Sequence, residues 1–175
     1  LVRNPIDRAY SQYNMLINWR KSQLLHEYEL FPDKEKLNIL LKKLLDTQNF
    51  PFSYWVNLEI EKIRNQENTP IDFFPDFLHR GFYYEQLERY YQFFPVENIL
   101  VIEHRELKNN RISTLRKIEQ FLNIPYVDWN AINLDDKFVS QYNVKLPSDI
   151  RNKLKAFFKP YNEKFYKLIK RNFDW

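Results

Sequence analysis

The stretch Leu1-Val-Arg-Asn-Pro-Ile-Asp-Arg-Ala-Tyr-Ser-Gln-Tyr13 decides how this chain folds, because it joins the end of a strand to the start of a helix. Its first two residues have the apolar character of the last residues of a buried strand. Asn4 is a favourable helix N-cap, and Pro5 then occupies the first helical position, where its missing N–H costs no hydrogen bond. The pattern predicts a helix that begins at Pro5 and runs to about Gln23.

One face of this helix has the composition of an anion site. Arg3 precedes the N-cap, and its guanidinium can hold a phosphate through two parallel bonds beside unpaired backbone N–H groups and the positive end of the helix dipole. Ser11 lies two turns further on, in the polar stripe Asn4, Asp7, Arg8 and Ser11. Arg3 and Ser11 are therefore the candidate phosphate ligands. The alternatives are an ion pair of Arg3 with Asp7 or with a distant acid, and a Ser11 hydroxyl bonded back to the helix; Arg8 is interpreted as structural.

Composition excludes several functional classes. The chain has 175 residues, 44% of them hydrophobic, with 15 Phe and 12 Tyr, so it is expected to fold. A single glycine excludes a glycine-rich phosphate loop, and the absence of cysteine excludes disulfides and zinc–thiolate sites. Three scattered histidines predict no metal site. The net charge of +4 suits an anionic ligand, but the basic residues are too interspersed for a nucleic-acid binder.

Apolar periodicity predicts a mostly helical chain with one or two short strands. Residues 99–102 form a short apolar run that predicts a strand buried on both faces in a parallel sheet. The turn after it, 103–107, carries two acids and a histidine, for which a structural role is favoured over a catalytic one. Helices are predicted in the segments 35–45, 53–65 (capped by Ser53), 76–94, about 115–122, from about 150 to 158, and from Pro160 onward.

The opening stretch also resembles a known family. Arg3-Asn4-Pro5-x-Asp7-Arg8-Ala9-Tyr10-Ser11-x-Tyr13 resembles the 3′-phosphate-binding motif of the sulfotransferases, most closely the branch that contains the heparan sulfate sulfotransferases and their prokaryotic relatives. Further matching segments are Arg80-Gly81-Phe82-Tyr83-x-x-Gln86-Leu87, Phe94-Pro95 leading into 99–102, Ile118-x-x-Phe121-Leu122 and Pro160-x-Asn162. The resemblance covers nearly the whole chain and is weakest between about Leu24 and Phe50.

This resemblance implies an α/β, P-loop-like sulfotransferase fold, a parallel sheet flanked by helices, of which the chain is a single domain spanning residues 1–175. It implies transfer of a sulfuryl group from 3′-phosphoadenosine 5′-phosphosulfate (PAPS) to a hydroxyl or amine, with a carbohydrate acceptor favoured and no metal required. Arg3 and Ser11 correspond to 3′-phosphate ligands. Lys145 is the nearest match to the family's basic cofactor loop, whose glycine, arginine and flanking cysteines this chain lacks, and Lys137 is a poorer one.

The rest of the family's machinery is expected to precede Leu1. In the family, a lysine-bearing loop that holds the 5′-phosphosulfate and a catalytic glutamate lie in the N-terminal part, so the catalytic residues are unknown here. The chain is therefore expected to be the C-terminal portion of a longer enzyme, inactive alone. The absence of cysteine and of a targeting segment favours the cytoplasm, and no apolar run is long enough to cross a membrane.

Two readings of other kinds stay open. One alternative to an active enzyme is a non-catalytic helical interaction module, which would bind through a contiguous basic patch; the other is a degenerate sulfotransferase-like domain that serves as a scaffold. The eroded cofactor loop is compatible with the latter. The sequence does not distinguish between sugars, lipid-linked glycans, small metabolites and peptides as acceptors.

Overall fold

A computed structural model of the chain describes residues 1–19, 26, 33–65, 75–135 and 145–175. The longer helices in these ranges are α1 (Pro5–Asn18), α2 (Lys34–Leu45), α3 (Phe52–Arg64), α4 (Tyr83–Tyr91), α5 (His104–Asn109), α6 (Arg111–Leu122) and α7 (Ser148–Ile169). Short 3₁₀ turns lie at His79–Gly81, Val96–Asn98 and Trp129–Ala131. The mostly helical character predicted from the sequence is therefore confirmed. The predicted end of the first helix, at about Gln23, lies outside the described residues, and so does the candidate loop residue Lys137.

The predicted strands are not confirmed. Within the described residues the only β pairing is an isolated parallel bridge between Val2 and Glu103. The N–H of Val2 donates to the carbonyl of Ile102 (2.8 Å), and the N–H of His104 donates to the carbonyl of Val2 (2.7 Å). A strand needs several successive pairs with a neighbour, and Val2 is followed almost at once by the N-cap of α1, so the pairing here ends after one bridge.

The chain divides into two compact units. The first unit comprises Leu1–Arg3, Tyr83–Gln141 and Tyr161–Asp174, and the second comprises Asn4–Phe82, Tyr142–Pro160 and Trp175. Helix α7 contributes its C-terminal part to the first unit and its N-terminal part to the second. The prediction that residues 1–175 form a single domain stays a prediction.

The second unit contains most of the buried apolar side chains. Helices α1, α2 and α3 each bury a stripe at helical spacing, as their amphipathic patterns predict. Phe77 and Leu78, in the turn before α4, are fully buried as well. The remaining core side chains are Ile6, Ala9, Tyr13, Leu16, Leu37, Leu41, Leu44, Phe52, Trp55, Val56, Ile60, Phe82, Leu154 and Phe158.

The first unit has a smaller core and exposes more large apolar side chains. Helix α4 buries no residue completely, and its predicted apolar stripe is partly in solvent, with Tyr90 at 59% and Phe94 at 51% exposure. Ile102 and Phe165 are buried. The helix predicted for 76–94 is also shorter than expected, because a 3₁₀ turn precedes Tyr83 and turns follow Tyr91.

Two local predictions about helix boundaries are wrong. Pro160 does not open a new helix but lies inside α7, which continues through it. A proline there leaves the carbonyl four residues earlier, that of Ala156, without its helical donor. Both residues are exposed, so this carbonyl lies where water can satisfy it. Ser53 is not the cap of α3, because that helix begins at Phe52, one residue before Ser53. Its N-cap is Pro51, and no side chain caps it.

Candidate functional site

The start of α1 is closed by the side chain of Asn4. Its Oδ1 accepts hydrogen bonds from the N–H of Ile6 (2.9 Å) and of Asp7 (3.5 Å), and its carbonyl accepts one from the N–H of Arg8 (2.9 Å). The predicted N-cap and the proline after it are thus confirmed. The expectation that unpaired N–H groups at this helix start are available to an anion is wrong for Ile6 and Asp7, because the buried Asn4 already occupies them.

Arg3 is held through its main chain and remains partly exposed. The hydroxyl of Tyr83 donates a hydrogen bond to the carbonyl of Arg3 (2.9 Å). The backbone N–H of Arg3 in turn donates to the hydroxyl oxygen of Tyr83 (3.4 Å). The residue is half-buried, so packing does not seal it from solvent. Asp7, the nearby acid that was considered as an ion-pair partner of Arg3, instead accepts a hydrogen bond from Arg151 at 3.0 Å.

Ser11 lies in the middle of α1 and is also half-buried. The structural role predicted for Arg8 is confirmed, because its guanidinium donates to Gln12 (2.9 Å) and to the carbonyl of Phe77. Arg3 belongs to the first unit and Ser11 to the second. Lys145 is exposed, just before α7 in the second unit. The assignment of these three residues to a phosphate site stays a prediction.

Gly81 is explained by packing in the second unit. A Cβ built on it would lie 2.8 Å from the Cβ of Pro5 and 3.0 Å from the ring of Phe158. Both distances are shorter than ordinary carbon contacts. A tight approach of packed elements therefore accounts for glycine at this position, and the approach positions the first turn of α1.

The acidic turn after residue 102 has a structural role, as favoured from the sequence. Glu103 is buried and caps α5, accepting a hydrogen bond from the N–H of Arg105 at 3.1 Å. Glu106 pairs with Arg171 and with Lys117 (3.4 Å). Burial alone would raise the pKa of Glu106, but these cations hold it below its ordinary value. Paired carboxylates of this kind fasten α5 to its neighbours within the first unit.

The second unit contains a cavity that the sequence does not reveal. Its volume is about 380 Å³, and its lining comes from three separate segments: the middle of α1, residues 47–53, and residues 147–150. Tyr10, Tyr13 and Phe52 form one wall, with Phe52 5.2 Å from Tyr10 and 5.1 Å from Tyr13 between ring centroids. Because the lining residues come from segments that are far apart in the sequence, only the assembled structure identifies the cavity.

Two features are absent from the described part of the chain. No group of three or more histidine, aspartate or glutamate side chains there is placed to hold a metal ion. Nor does any helix in these ranges combine the length and the apolarity required to span a bilayer.

Comparison with known proteins identifies sequence relatives. A family model described as "Sulfotransferase domain" matches residues 1–131. The membrane-associated sulfotransferase kil1 of Dictyostelium discoideum is 33% identical over 98 residues, which are 56% of this chain and 20% of that protein. Human heparan sulfate glucosamine 3-O-sulfotransferase 5 is 23% identical over 198 aligned positions, which cover this whole chain and 48% of the human protein. The chain thus spans half or less of the length of these relatives.

A solved structure shares the fold. The crystal structure of a sulfotransferase from Alicyclobacillus acidocaldarius superimposes with a TM-score of 0.58 over 98% of this chain and 53% of that one, at 24% identity. At this identity the similarity establishes the fold and leaves chemistry to be argued from residues.

Proposed function

This chain belongs to the sulfotransferase family, and from that membership we propose that it takes part in transfer of a sulfuryl group from PAPS to a hydroxyl or amine acceptor. The observation that carries the proposal is the match of the family model to residues 1–131, which begins with the motif Arg3 to Tyr13. A carbohydrate acceptor is supported by the name of the human relative, a heparan sulfate glucosamine 3-O-sulfotransferase.

Within this function, we propose that the chain binds the 3′-phosphate of the nucleotide. Arg3 supplies a bidentate, charge-assisted contact, Ser11 supplies a hydroxyl bond, and Lys145 adds a positive charge from the exposed segment before α7. Asn4 occupies the nearest N–H groups of α1, so side chains rather than the helix backbone carry the binding. Arg3 and Ser11 are half-buried and Lys145 is exposed, so packing seals none of the three side chains from solvent.

The chemical step requires groups that this assignment does not include. Sulfuryl transfer needs a donor to stabilise the leaving oxygen and a base for the acceptor. By the resemblance, both precede Leu1, so the chain alone binds the nucleotide but does not catalyse. The 175-residue chain should therefore transfer no ³⁵S-labelled sulfate from PAPS to any acceptor. Turnover by this chain would show that the catalytic groups lie within it.

The phosphate grip is tested by titrating the intact protein with 3′-phosphoadenosine 5′-phosphate in a calorimeter. Arg3→Ala should weaken binding at least tenfold, because one charge-assisted contact contributes about 1.5–3 kcal/mol. The affinity of Arg3→Lys should lie between those of Arg3→Ala and the unchanged protein, since lysine keeps the positive charge but lacks the planar guanidinium. Ser11→Ala should weaken binding several-fold, by about 0.5–1.5 kcal/mol.

Arg64→Ala is the matched control, because Arg64 is an exposed arginine at the end of α3, within the second unit. Its affinity for the nucleotide should equal that of the unchanged protein. A second ligand, adenosine 5′-phosphate, lacks the 3′-phosphate and should respond to none of the three substitutions at Arg3 and Ser11. Equal affinities of the Arg3→Ala variant and the unchanged protein for the 3′-phosphorylated nucleotide would refute the assignment.

A further inference from the structure

The cavity in the second unit combines an aromatic wall with polar groups at its edge. Phe52 packs edge to face against Tyr10 and tilted against Tyr13, while Tyr10 and Tyr13 are stacked with their ring centroids 6.3 Å apart, so a compact apolar surface faces the cavity. Burial raises the pKa of the Tyr13 hydroxyl, with Tyr10 adding to the effect. The phenol of Tyr13 is therefore neutral at physiological pH and keeps its proton to donate.

The polar groups around this wall are hydrogen-bonding and mostly uncharged. The amide nitrogen of Asn14 donates to the carbonyl of Tyr10 at 2.7 Å, which fixes the amide and directs its oxygen away from that bond. Thr47, in the segment between α2 and α3, and Ser53, in the first turn of α3, each add a hydroxyl. An apolar ring surface bordered by an amide and hydroxyls is complementary to a ligand with a flat apolar face and hydroxyls at its rim, as a sugar ring has.

The charge of the cavity distinguishes it from the chain as a whole. The chain carries a net charge of +4, yet the described residues that line the cavity include no lysine, arginine or histidine. They do include Asp149, an exposed carboxylate in the first turn of α7. A carboxylate without a lining cation accepts hydrogen bonds from hydroxyls and repels anionic ligands.

We propose that this cavity binds an uncharged sugar ring of the acceptor, held against Tyr10 and Phe52 and hydrogen-bonded by Asn14 and Asp149. The proposal rests on the sulfotransferase function proposed above and narrows its acceptor to a neutral glycan, as opposed to a uronic-acid or sulfated one. The volume of about 380 Å³ lies toward the lower end of the range for small-molecule sites and suits one or two sugar rings.

Binding is tested by NMR titration of the ¹⁵N-labelled chain with three probes. N,N′-diacetylchitobiose is the neutral disaccharide, the hyaluronan disaccharide carries a carboxylate, and tetramethylammonium is a cation without hydroxyls. The neutral disaccharide should shift the amide signals of residues 10–17, 52 and 53, with a dissociation constant at least tenfold lower than that of the hyaluronan disaccharide. Tighter binding of the hyaluronan disaccharide, or shifts at these residues with tetramethylammonium alone, would overturn the proposal.

Variants locate the binding and test its electrostatics. Asp149→Asn should weaken binding of the neutral disaccharide at least threefold and should reduce the discrimination against the hyaluronan disaccharide. Glu163→Gln is the matched control, because it neutralises an exposed carboxylate on the same helix outside the cavity, and both constants should stay unchanged. Ser53→Phe fills the cavity and should abolish sugar binding. Equal sugar affinities of Asp149→Asn, Ser53→Phe and the unchanged chain would place the sugar elsewhere and refute the inference.

The same samples separate this inference from the function on which it rests. Each variant is titrated with 3′-phosphoadenosine 5′-phosphate, whose proposed ligands Arg3, Ser11 and Lys145 do not line the cavity. Ser53→Phe should therefore keep its nucleotide affinity, which also shows that it is folded. Nucleotide binding without sugar binding rejects the neutral-sugar site and leaves the proposed function intact. Sugar binding without nucleotide binding rejects the proposed function and, with it, the role of the sugar as an acceptor.

Discussion

Two buried carboxylates, one in each compact unit, fasten loop backbone in similar ways but differ in their electrostatics. Glu59, on α3 in the second unit, is fully buried and accepts hydrogen bonds from the N–H groups of Phe77 (2.7 Å) and Leu78 (2.6 Å). Glu119, on α6 in the first unit, is 6% exposed and accepts hydrogen bonds from the N–H of Val127 (2.9 Å) and the indole of Trp129 (2.8 Å).

Their pKa values move in opposite directions. Burial raises the pKa of Glu59 to about 8, and the two backbone N–H groups and the charge of Arg8 only partly offset it. Burial also acts to raise the pKa of Glu119, but Arg116, which lies 2.9 and 2.7 Å from its two oxygens, outweighs it and the pKa falls below its ordinary value. A cation bonded directly to the carboxylate, and not backbone donors alone, decides the sign.

The difference matters for the proposed site, because Glu59 holds the turn that leads to Gly81. The backbone N–H groups of Phe77 and Leu78 donate to its carboxylate. Gly81 lies three residues after Leu78 and packs against Pro5 at the start of α1. The position of the helix that carries Ser11 thus depends on a carboxylate whose ionisation is costly. Glu119 fastens residues 127–129 and carries no comparable cost.

The largest expected effect is on the stability of the Glu59→Ala variant. Removing this side chain leaves two buried N–H groups without acceptors and opens a cavity, which together should lower the free energy of unfolding by about 3–5 kcal/mol at pH 5. Denaturant unfolding followed by circular dichroism measures it. Glu61→Ala, an exposed position on the same helix, is the control and should change stability by about 0.5 kcal/mol or less. A loss of similar size in both variants would show that Glu59 does not anchor the turn.

The next effect is a dependence of stability on pH that Glu59 introduces. The pKa is about 8 in the folded chain against an ordinary 4.5, so the folded state holds a proton that the unfolded state releases between these values. Stability from this group is therefore full below pH 4.5 and is lost as the pH rises toward 8. Because each pKa unit corresponds to about 1.4 kcal/mol, the loss between pH 5 and pH 7 should be about 2–3 kcal/mol.

The Glu59→Gln variant isolates this dependence, because its side chain has nearly the same shape and does not ionise. Its unfolding free energy, measured against that of the unchanged chain at pH 5, 6 and 7, should lack the decline assigned to Glu59. Asp76 and Arg8 also act electrostatically on Glu59 and are present in both proteins, so they cancel in the comparison. Parallel curves for the two proteins would mean that Glu59 is already ionised throughout this range.

What the sequence could predict depended on whether the relevant interactions were local. The capped start of α1 follows from Asn4 and Pro5, and the stripe of α2 follows from leucine spacing, so both were predicted and confirmed. Residues 99–102 were predicted as a strand from composition, but pairing requires a neighbour that the described chain supplies at only one bridge. Pro160 looked like a helix start, although solvent at the exposed Ala156 lets α7 continue.

The candidate site divides in the same way. Arg3 and Ser11 were found because a short motif carries them, and their role as phosphate ligands stays a prediction. Glu59 and the cavity were missed, because an acid on an amphipathic helix is normally solvated and because the cavity lining is assembled from segments far apart in the chain. No local pattern indicates that the turn at Phe77 lies over Glu59, since that contact depends on tertiary packing.

The smallest expected effect is a change in one pKa, and it tests the comparison directly. In Arg116→Met the side-chain stem still packs, but the cation that holds Glu119 is lost. Only the N–H groups of Val127 and Trp129 then oppose the effect of burial on Glu119. Because burial prevails at Glu59 over two N–H groups, the pKa of Glu119 should rise above its ordinary 4.5. ¹³C NMR titration of the glutamate carboxyl signals measures this pKa.

Lys117→Met is the control, because Lys117 is the neighbouring cation and pairs with Glu106 instead. If the pKa of Glu119 stayed low in Arg116→Met, two N–H donors would suffice to keep a buried carboxylate ionised, and the contrast with Glu59 would have to come from the depth of burial.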